Sequence, residues 1–405
     1  MDIIKLAIRN IFRNKRRSIL TALSLSVAGF VIVALHGYIK GVLNTSRDMV
    51  IKLDTGHVLI TTEGYFERRI FLPQDEYMGD TEEIENALKN SKYVEFYTGR
   101  IKAGGMIFTK SGTNKNVMIM GIEPEKEKNN IEIQEKSVID GTYDLSKGCV
   151  VGRDLAKSLK LKAGDTLIIL SRSVVGGVSA IKIPIAGIVR LGYTTFDKNL
   201  LLLSLEDARK LLKTTSGYHE ILVFLKSEKY ISSFLKSLKL PEGTVANSYT
   251  FVLGTFAFFY KFADIFYMGI YILITLLAAF AIVNTMTVAV FERMREIGTL
   301  KSIGMTDQEI FNLFGMEGTL IGAAGGFVGT LLGLLFNFIL KIKGMNFEDM
   351  IKTFDFPFPY VVRPSTNIGI VILAFGLVTI ISFATSVLPA MQAKKLTPQE
   401  ALRQI

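Results

Sequence analysis

Apolar residues follow two different patterns along this chain. In four places they form long runs without Asp, Glu, Lys or Arg: 18–39, 265–291, 318–340 and 364–393. Each run exceeds the roughly 20 residues that a helix needs to cross a hydrocarbon core about 30 Å thick. In lipid every backbone N–H and C=O must be paired within the segment, which leaves helices or closed barrels as the only spanning forms. The pattern predicts transmembrane helices at 18–43, 262–291, 307–340 and 365–390. Elsewhere, chiefly over 44–261, apolar residues alternate with polar ones over short distances. The fold class read from this layout is membrane α-helical, four transmembrane helices, with a large α+β domain inserted between helices 1 and 2.

Inside the insert, "GHVLITTEGYF" alternates as a half-buried strand does, with Gly56 and Gly64 as breakers. Residues 81–90 read as a helix with Asp80 and Thr81 as candidate caps. "VMIMGIEP" is an apolar strand ending at Gly121 and Pro124. A second lobe is expected after it. "GCVVGRDLAKSLKLKAGDTLIIL" reads strand, turn, helix, turn, strand, with Gly164-Asp165 as the last turn. "IKIPIAGIV", "NLLLLS", "LEDARKLL", "HEILVFL" and "KYISSFLKSL" continue as short strands and helices. The insert is therefore expected to be two α/β lobes.

The flanks of the spans carry their own patterns. In residues 1–17, Ile4, Ile8 and Ile11 recur at helical spacing, with Arg9, Arg13 and Arg16 on another face. Such a helix either lies in the headgroup layer or extends the first span into water. After span two, residues 292–306 form an amphipathic elbow. Ile297, Leu300 and Ile303 fall on one side, and Gly298 and Gly304 limit it. Thr306 and Glu309 form a capping box that starts the next helix, with Asp307 in its first turn. Span three carries glycines four apart, at 318–322–326 and 325–329–333. Stripes of small residues let helix backbones approach closely in lipid. Gly318, Gly322, Gly326, Gly329 and Gly333 are read as packing positions, with a pore lining as the alternative. Glu317 is an intramembrane carboxylate near one end of this span. Snorkelling or a helix-pairing hydrogen bond is the expected role, ahead of proton relay.

Charge then sets the topology. The net charge is +10, but the basic residues cluster beside the spans rather than in a nucleic-acid footprint. Lys5, Arg9, Arg13, Lys15, Arg16 and Arg17 precede span one. Arg293, Arg295 and Lys301 follow span two, and Lys394, Lys395 and Arg403 follow span four. Cytoplasmic flanks carry such an excess of Lys and Arg. Both termini and the elbow are thus expected in the cytoplasm, and the insert and the loop 341–364 outside. Lys341, Lys343, Lys352 and Arg363 in that loop run against the rule, offset in part by Glu348, Asp349 and Asp355. The first run is longer than a signal-peptide core and shows no small-residue cleavage site, so it reads as a retained span. Cys149 is alone, which leaves a buried structural thiol. His36, His57 and His219 lack ligand spacing, so no metal site is expected. GxxxxGK[ST], GxSxG and HExxH are all absent. The chain therefore offers no cradle for ATP and no catalytic motif, and reads as a non-enzyme.

Four segments carry a family resemblance. "ERMREIGTLKSIGMTDQEI" (292–310) resembles the cytoplasmic coupling segment of FtsX-like, MacB-type ABC transporter permeases. "LPAMQAKKLTPQEALR" (388–403) resembles their C-terminal signature. "AIRNIFRNKRRSILTALSLSVA" and "VVGRDLAKSLKLKAGDTLIIL" are similar to the family's N-terminal segment and its extracytoplasmic core. "LDTGHVLITTEGYF" (53–66) is most similar to the lipoprotein-releasing, LolC/LolE-like branch. The resemblance implies a permease in the cell (inner) membrane, with a cytoplasmic ABC ATPase dimer docked beneath it. ATP and Mg would be held by that partner and no cofactor by this chain. It implies a second permease subunit, either another copy or a paralogue, and contact with membrane lipid, but none with nucleic acid. Glu292, Arg293, Arg295, Glu296, Ile297, Gly298, Leu300, Lys301 and Gly304 would form the ATPase-coupling interface. The expected activity is mechanotransmission, with lipoprotein release from the inner membrane as the task. MacB-like export of a peptide, toxin or drug is one alternative, and FtsX-like signalling to a cell-wall hydrolase is another.

Overall fold

A computed structural model describes residues 3–127, 137–351 and 359–395 of the chain. The chain divides into two compact units: residues 1–44, 259–345 and 362–405, and residues 45–258 with 346–361. Of the expected cytoplasmic tail, 396–405 lies outside the described residues, as do Lys352 and Asp355 of the loop.

The first helix, α1 (Ile3–Arg13), is separated from α2 (Lys15–Val50) only at Asn14. It buries Ala7 and Asn10 and exposes Ile4, Ile8 and Phe12 beside Lys5, Arg9 and Arg13. An exposed apolar stripe bordered by cations suits the headgroup layer. Ile11 is half-buried rather than part of that stripe. The α2 helix runs past the expected end at 43 and closes in a π turn, Ile51–Thr55.

The inserted domain then builds one ten-stranded sheet. In chain order its elements are β1 (Val58–Thr62), α3 (Glu63–Arg68), α4 (Glu82–Lys89), β2 (Val94–Phe108), β3 (Asn114–Ile122), α5 (Pro124–Glu127), β4 (Val138–Gly141), β5 (Cys149–Gly152), α6 (Arg153–Leu159), β6 (Thr166–Arg172), β7 (Val178–Val189), α7 (Thr194–Asn199), β8 (Leu200–Ser204), α8 (Leu205–Leu212), β9 (Glu220–Leu225), α9 (Ile231–Ser237), β10 (Thr244–Ser248) and α10 (Tyr249–Val252). The strand order is β10-β1-β9-β2-β3-β8-β5-β7-β4, with β6 pairing β2 and β7.

Two lobes exist, but they are not consecutive in sequence as the strand reading supposed. The 15-residue β2 belongs to both: Val94–Arg100 pairs antiparallel with β9, and Ile101–Phe108 pairs with β3. The chain leaves the first lobe along β2, completes the second lobe through α8, and returns by β9. In the first lobe Val58, Ile60, Ile221 and Val223 pack on Ile84, Leu88 and Phe234. In the second, β8 is buried on both faces. Leu201 and Leu203 join one core with Ile101, Val151 and Leu211, while Leu200 and Leu202 join another with Met120, Val150 and Phe196. A strand covered on both sides needs a continuous apolar run, and "LLLL" supplies it. Cys149 is buried in the first of these cores, where desolvation pushes its thiol up to about 12. A thiol so placed is inert.

The π turn is held between the two lobes of this domain. Ile51 packs with Leu59, Leu222 and Phe224, whereas Leu53 enters the core of Met120 and Val150. Arg100, fully buried, donates through Nη1 to the Leu53 carbonyl and through Nη2 to that of Lys52, the latter at 3.3 Å. Its charge is met by Glu127, which accepts from Nε at 2.7 Å and Nη2 at 2.9 Å. Thr98 Oγ1 donates to the same carboxylate at 3.1 Å.

The remaining elements are α11 (Thr255–Glu292), α12 (Met294–Ser302), α13 (Asp307–Lys343), the paired β11 (Met345–Asn346) and β12 (Val361–Val362), the short α14 (Glu348–Ile351) and α15 (Ile368–Lys395). Among the described residues, four helices are long and apolar enough to span: 15–55, 265–292, 307–343 and 368–395. The α11 helix starts before the expected 262. The fourth starts at Ile368, where Asn367 Oδ1 accepts from Ile370 N at 3.0 Å, and continues past 390. The capping box is present, with Glu309 Oε2 accepting from Thr306 N at 2.9 Å.

The two glycine stripes of α13 meet different helices. A Cβ on Gly318 or Gly322 would come within 2.5 or 2.2 Å of Ser386 or Ser382 of α15. One on Gly325 or Gly329 would come within 2.5 or 2.1 Å of the carbonyl oxygens of Ala22 and Ser26 of α2. Gly326 faces Val378 and Gly333 faces Val33. Ser26 and Ser382 donate to the Gly325 and Gly318 carbonyls at 2.9 and 2.7 Å. The stripes are filled by neighbouring helices rather than open as a pore lining.

Gly329→Val should destabilise the detergent-solubilised protein by about 2 kcal/mol through overpacking. Gly376→Val, where a Cβ would meet nothing within 4 Å, should leave thermal unfolding unchanged.

Candidate functional site: the elbow between the second and third spans

The elbow is ordered by local chemistry at both ends. Its helix α12 begins after Arg293, whose φ of −108° and ψ of 14° break the path of α11. It ends in a Schellman motif: Gly304 N donates to Lys301 O and Met305 N to Leu300 O, both at 3.0 Å. Gly304 at φ +104° provides the left-handed turn this closure needs.

Its inner face is apolar. Ile297, 1% exposed, and the half-buried Leu300 pack with Val290, Ile310, Phe314, Ala390 and Ala393. Gly298 is buried on the same side. Lys301 also turns inward, donating to Asp307 Oδ1 and the Lys394 carbonyl, each at 2.7 Å. The outer face presents Glu292, Arg295, Glu296, Thr299, Ser302 and Ile303, the last 79% exposed.

Arg293 does not lie on the outer face. It is 6% exposed and donates through Nη1 to Glu317 Oε2 at 3.0 Å and through Nε to Glu296 Oε2 at 3.0 Å. Its guanidinium lies 5.3 Å from the centre of the Phe314 ring. Glu317 is 1% exposed, with Arg17 Nη2 3.8 Å from its other oxygen. Arg17 also donates to Glu292 at 3.0 Å, and Arg13 pairs with Glu296. Burial raises the Glu296 carboxyl, but hydrogen bonds from Arg13 and Arg293 outweigh it and hold it below the usual range. A chain of alternating charges thus ties α1, the start of α2, α12 and α13 together. Within it α12 is held to α1 through Glu296 and Arg13, and its N-terminal junction to α13 through Arg293 and Glu317.

Several sequence expectations change here. Arg293, Ile297, Gly298, Leu300 and Lys301, expected at a partner interface, are turned toward the elbow's own bundle. Glu292, Arg295, Glu296 and Gly304 remain on the exposed side. Ile303, expected to share a side with Ile297 and Leu300, faces outward because the helix ends at Ser302. Of the two roles expected for Glu317, the hydrogen bond between elements is the one present, made with Arg293 at the start of the elbow, and the buried side chain does not snorkel. Arg13, Arg17 and Phe314 were missed as members of the site. The four-residue spacing of Arg9, Arg13 and Arg17 was a visible signal, but its acidic partners lie more than 270 positions away. Among the described residues, no three His, Cys, Asp or Glu side chains are disposed to hold a metal ion. His219 is buried beside Tyr65 and Tyr77, and desolvation lowers it to about 4.

Comparison with known proteins bears on this geometry. Residues 18–239 match the MacB-like periplasmic core domain, and residues 268–398 match the FtsX-like permease C-terminal region. The chain is 26% identical to an uncharacterized ABC transporter permease of Methanocaldococcus jannaschii, over 80% of this chain and 81% of that one. It is 23% identical to the lipoprotein-releasing system transmembrane protein LolC of Xylella fastidiosa, over 71% and 72% of the two chains. The periplasmic region of MacB from Actinobacillus actinomycetemcomitans aligns with a TM-score of 0.36 at 14% identity, over 51% of this chain and 95% of that structure.

Removing one partner of the buried pair should be costly, because it strands a charge away from water. Arg293→Ala should lower stability by about 3–5 kcal/mol. Combining it with Glu317→Gln should restore part of that loss, giving a coupling energy of about 1–3 kcal/mol in a double-mutant cycle. Denaturant unfolding of the purified protein measures both.

Proposed function

Because this chain belongs to the family of ABC transporter permeases that join a MacB-like periplasmic core domain to an FtsX-like C-terminal half, we propose that it converts ATP hydrolysis by a separate subunit into movement of its large domain, and that the cargo is a lipoprotein released from the inner membrane. Family membership makes the chain a transport subunit served by a cytoplasmic ABC ATPase. The observation that carries the substrate reading is the match over 71% of the chain to a protein named for lipoprotein release.

The elbow supports a mechanical role. Its outer face is exposed for a partner, and its inner face is fixed by Ile297 and by the Arg293–Glu317 pair. Closure of an ATPase dimer against α12 would move α13 through that pair, and α1 and α2 through Arg13 and Arg17. In this reading the termini and elbow face the cytoplasm, where the excess of Lys and Arg beside the spans favours them. A second permease subunit, another copy or a paralogue, completes the pair that an ATPase dimer requires.

The test is reconstitution of the chain with its ATPase and an acylated lipoprotein, scored for ATP-dependent transfer to a soluble acceptor. Release supports the reading. ATP-dependent export of a soluble peptide or drug without lipoprotein release rejects the substrate and keeps the mechanism. Thr299→Arg with Ser302→Glu, two changes on the outer face, should weaken ATPase binding by about tenfold or more, as central interface substitutions do. Pull-down affinity together with an unchanged melting temperature checks this.

A further inference from the structure

The loop between the third and fourth spans is built into the large domain. Tyr360 is 1% exposed although it belongs to this loop. Its ring centre lies 5.4 Å from the Arg153 guanidinium and 5.3 Å from that of Arg190. Its hydroxyl donates to Asp154 Oδ2 at 3.0 Å, and its backbone N donates to the Gly192 carbonyl at 3.1 Å. Glu348, from the same loop, bridges the two cations, accepting from Arg153 Nη1 at 2.6 Å and from Arg190 Nη2 at 2.5 Å. The receiving surface is itself braced. Asp197, fully buried, accepts from Leu191 N at 2.7 Å and Gly192 N at 3.1 Å.

An aromatic ring close to two cations, with one carboxylate accepting from both, combines cation–π attraction with charge-assisted hydrogen bonds. Arginine suits this role because one guanidinium can lie beside a ring and donate to a carboxylate at the same time. These contacts join a segment continuous with α13 and α15 to α6 and to the loop after β7. The domain is therefore attached to the chain of every span: to the first two as their insert, and to the last two through Tyr360 and Glu348.

We propose that Tyr360, Glu348, Arg153 and Arg190 form a coupling joint that transmits movement of the third and fourth spans to the large domain. The joint rests on the transport reading above, and its four residues are positioning residues. Two attachments alone permit the domain to swing about the line between them. In this proposal the additional attachment would restrict that freedom and link domain position to the state of the spans.

The experiment uses the complete permease with its ATPase in lipid nanodiscs. Spin labels at exposed Ser111→Cys and Ile342→Cys report the position of the domain without nucleotide and with ATP trapped, native Cys149 being buried. Glu348→Lys and Tyr360→Ala should reduce the coupling between nucleotide state and domain position by about fivefold or more, with ATPase binding and hydrolysis retained. The milder Glu348→Gln and Tyr360→Phe should fall between these and the wild type. Nucleotide-dependent movement equal to wild type in Glu348→Lys overturns the joint. So does loss of hydrogen-exchange protection across 149–212 in Glu348→Lys while Glu348→Gln moves as wild type. A wild-type pair of labels that ignores nucleotide overturns the transport reading, and the joint with it.

Discussion

A charge removed from water must be met by another charge, and in this protein that constraint fixes where the helices and strands can be. Arg100 and Glu127 pair inside the large domain, and Arg293 and Glu317 pair inside the membrane unit. Such pairs are expensive to desolvate, and the attraction between the partners repays that cost only where the geometry is good. Their value is geometric. Arg100 can satisfy Glu127 and two carbonyls only when the π turn after α2 is in place. Arg293 can satisfy Glu317 only when the elbow is folded back on α13.

Each pair sits where regular structure gives out. The π turn closes α2, and Arg293 is the irregular residue between α11 and α12. Helix ends leave backbone groups without intrahelical partners, so they are where side chains can take hold. In a transport protein these are also the places where movement must cross from one element to the next. A joint made of hydrogen bonds and charges has direction, which apolar packing lacks. The contacts of Tyr360 and Glu348 extend the same logic to the last loop.

Between these joints the packing is close and largely apolar. The α13 helix approaches α2 through one glycine stripe and α15 through the other, with serine hydroxyls donating to buried glycine carbonyls. With lipid as apolar as any side chain, such contact and such hydrogen bonds replace the hydrophobic effect as the source of helix association. In the domain, β2 plays the corresponding part, since one strand pairs with both lobes and joins them in a single sheet.

Local patterns decided much of this in advance. The charge-free runs, the Thr306–Glu309 capping box, the four-residue glycine steps and the "LLLL" strand each follow from periodicities that neighbouring residues express by themselves. The family was legible for the same reason, because its motifs are contiguous. The tertiary structure alone decided which residues at the elbow face inward, since Arg293 is drawn to Glu317 and Phe314 by folding rather than by spacing. It alone decided that the lobes interleave through β2, and that Tyr360 is buried beside Arg153 and Arg190. Helical and strand periods repeat within a few residues, so sequence carries them. Neutralising a buried charge takes a partner from anywhere in the chain, and only the fold chooses it.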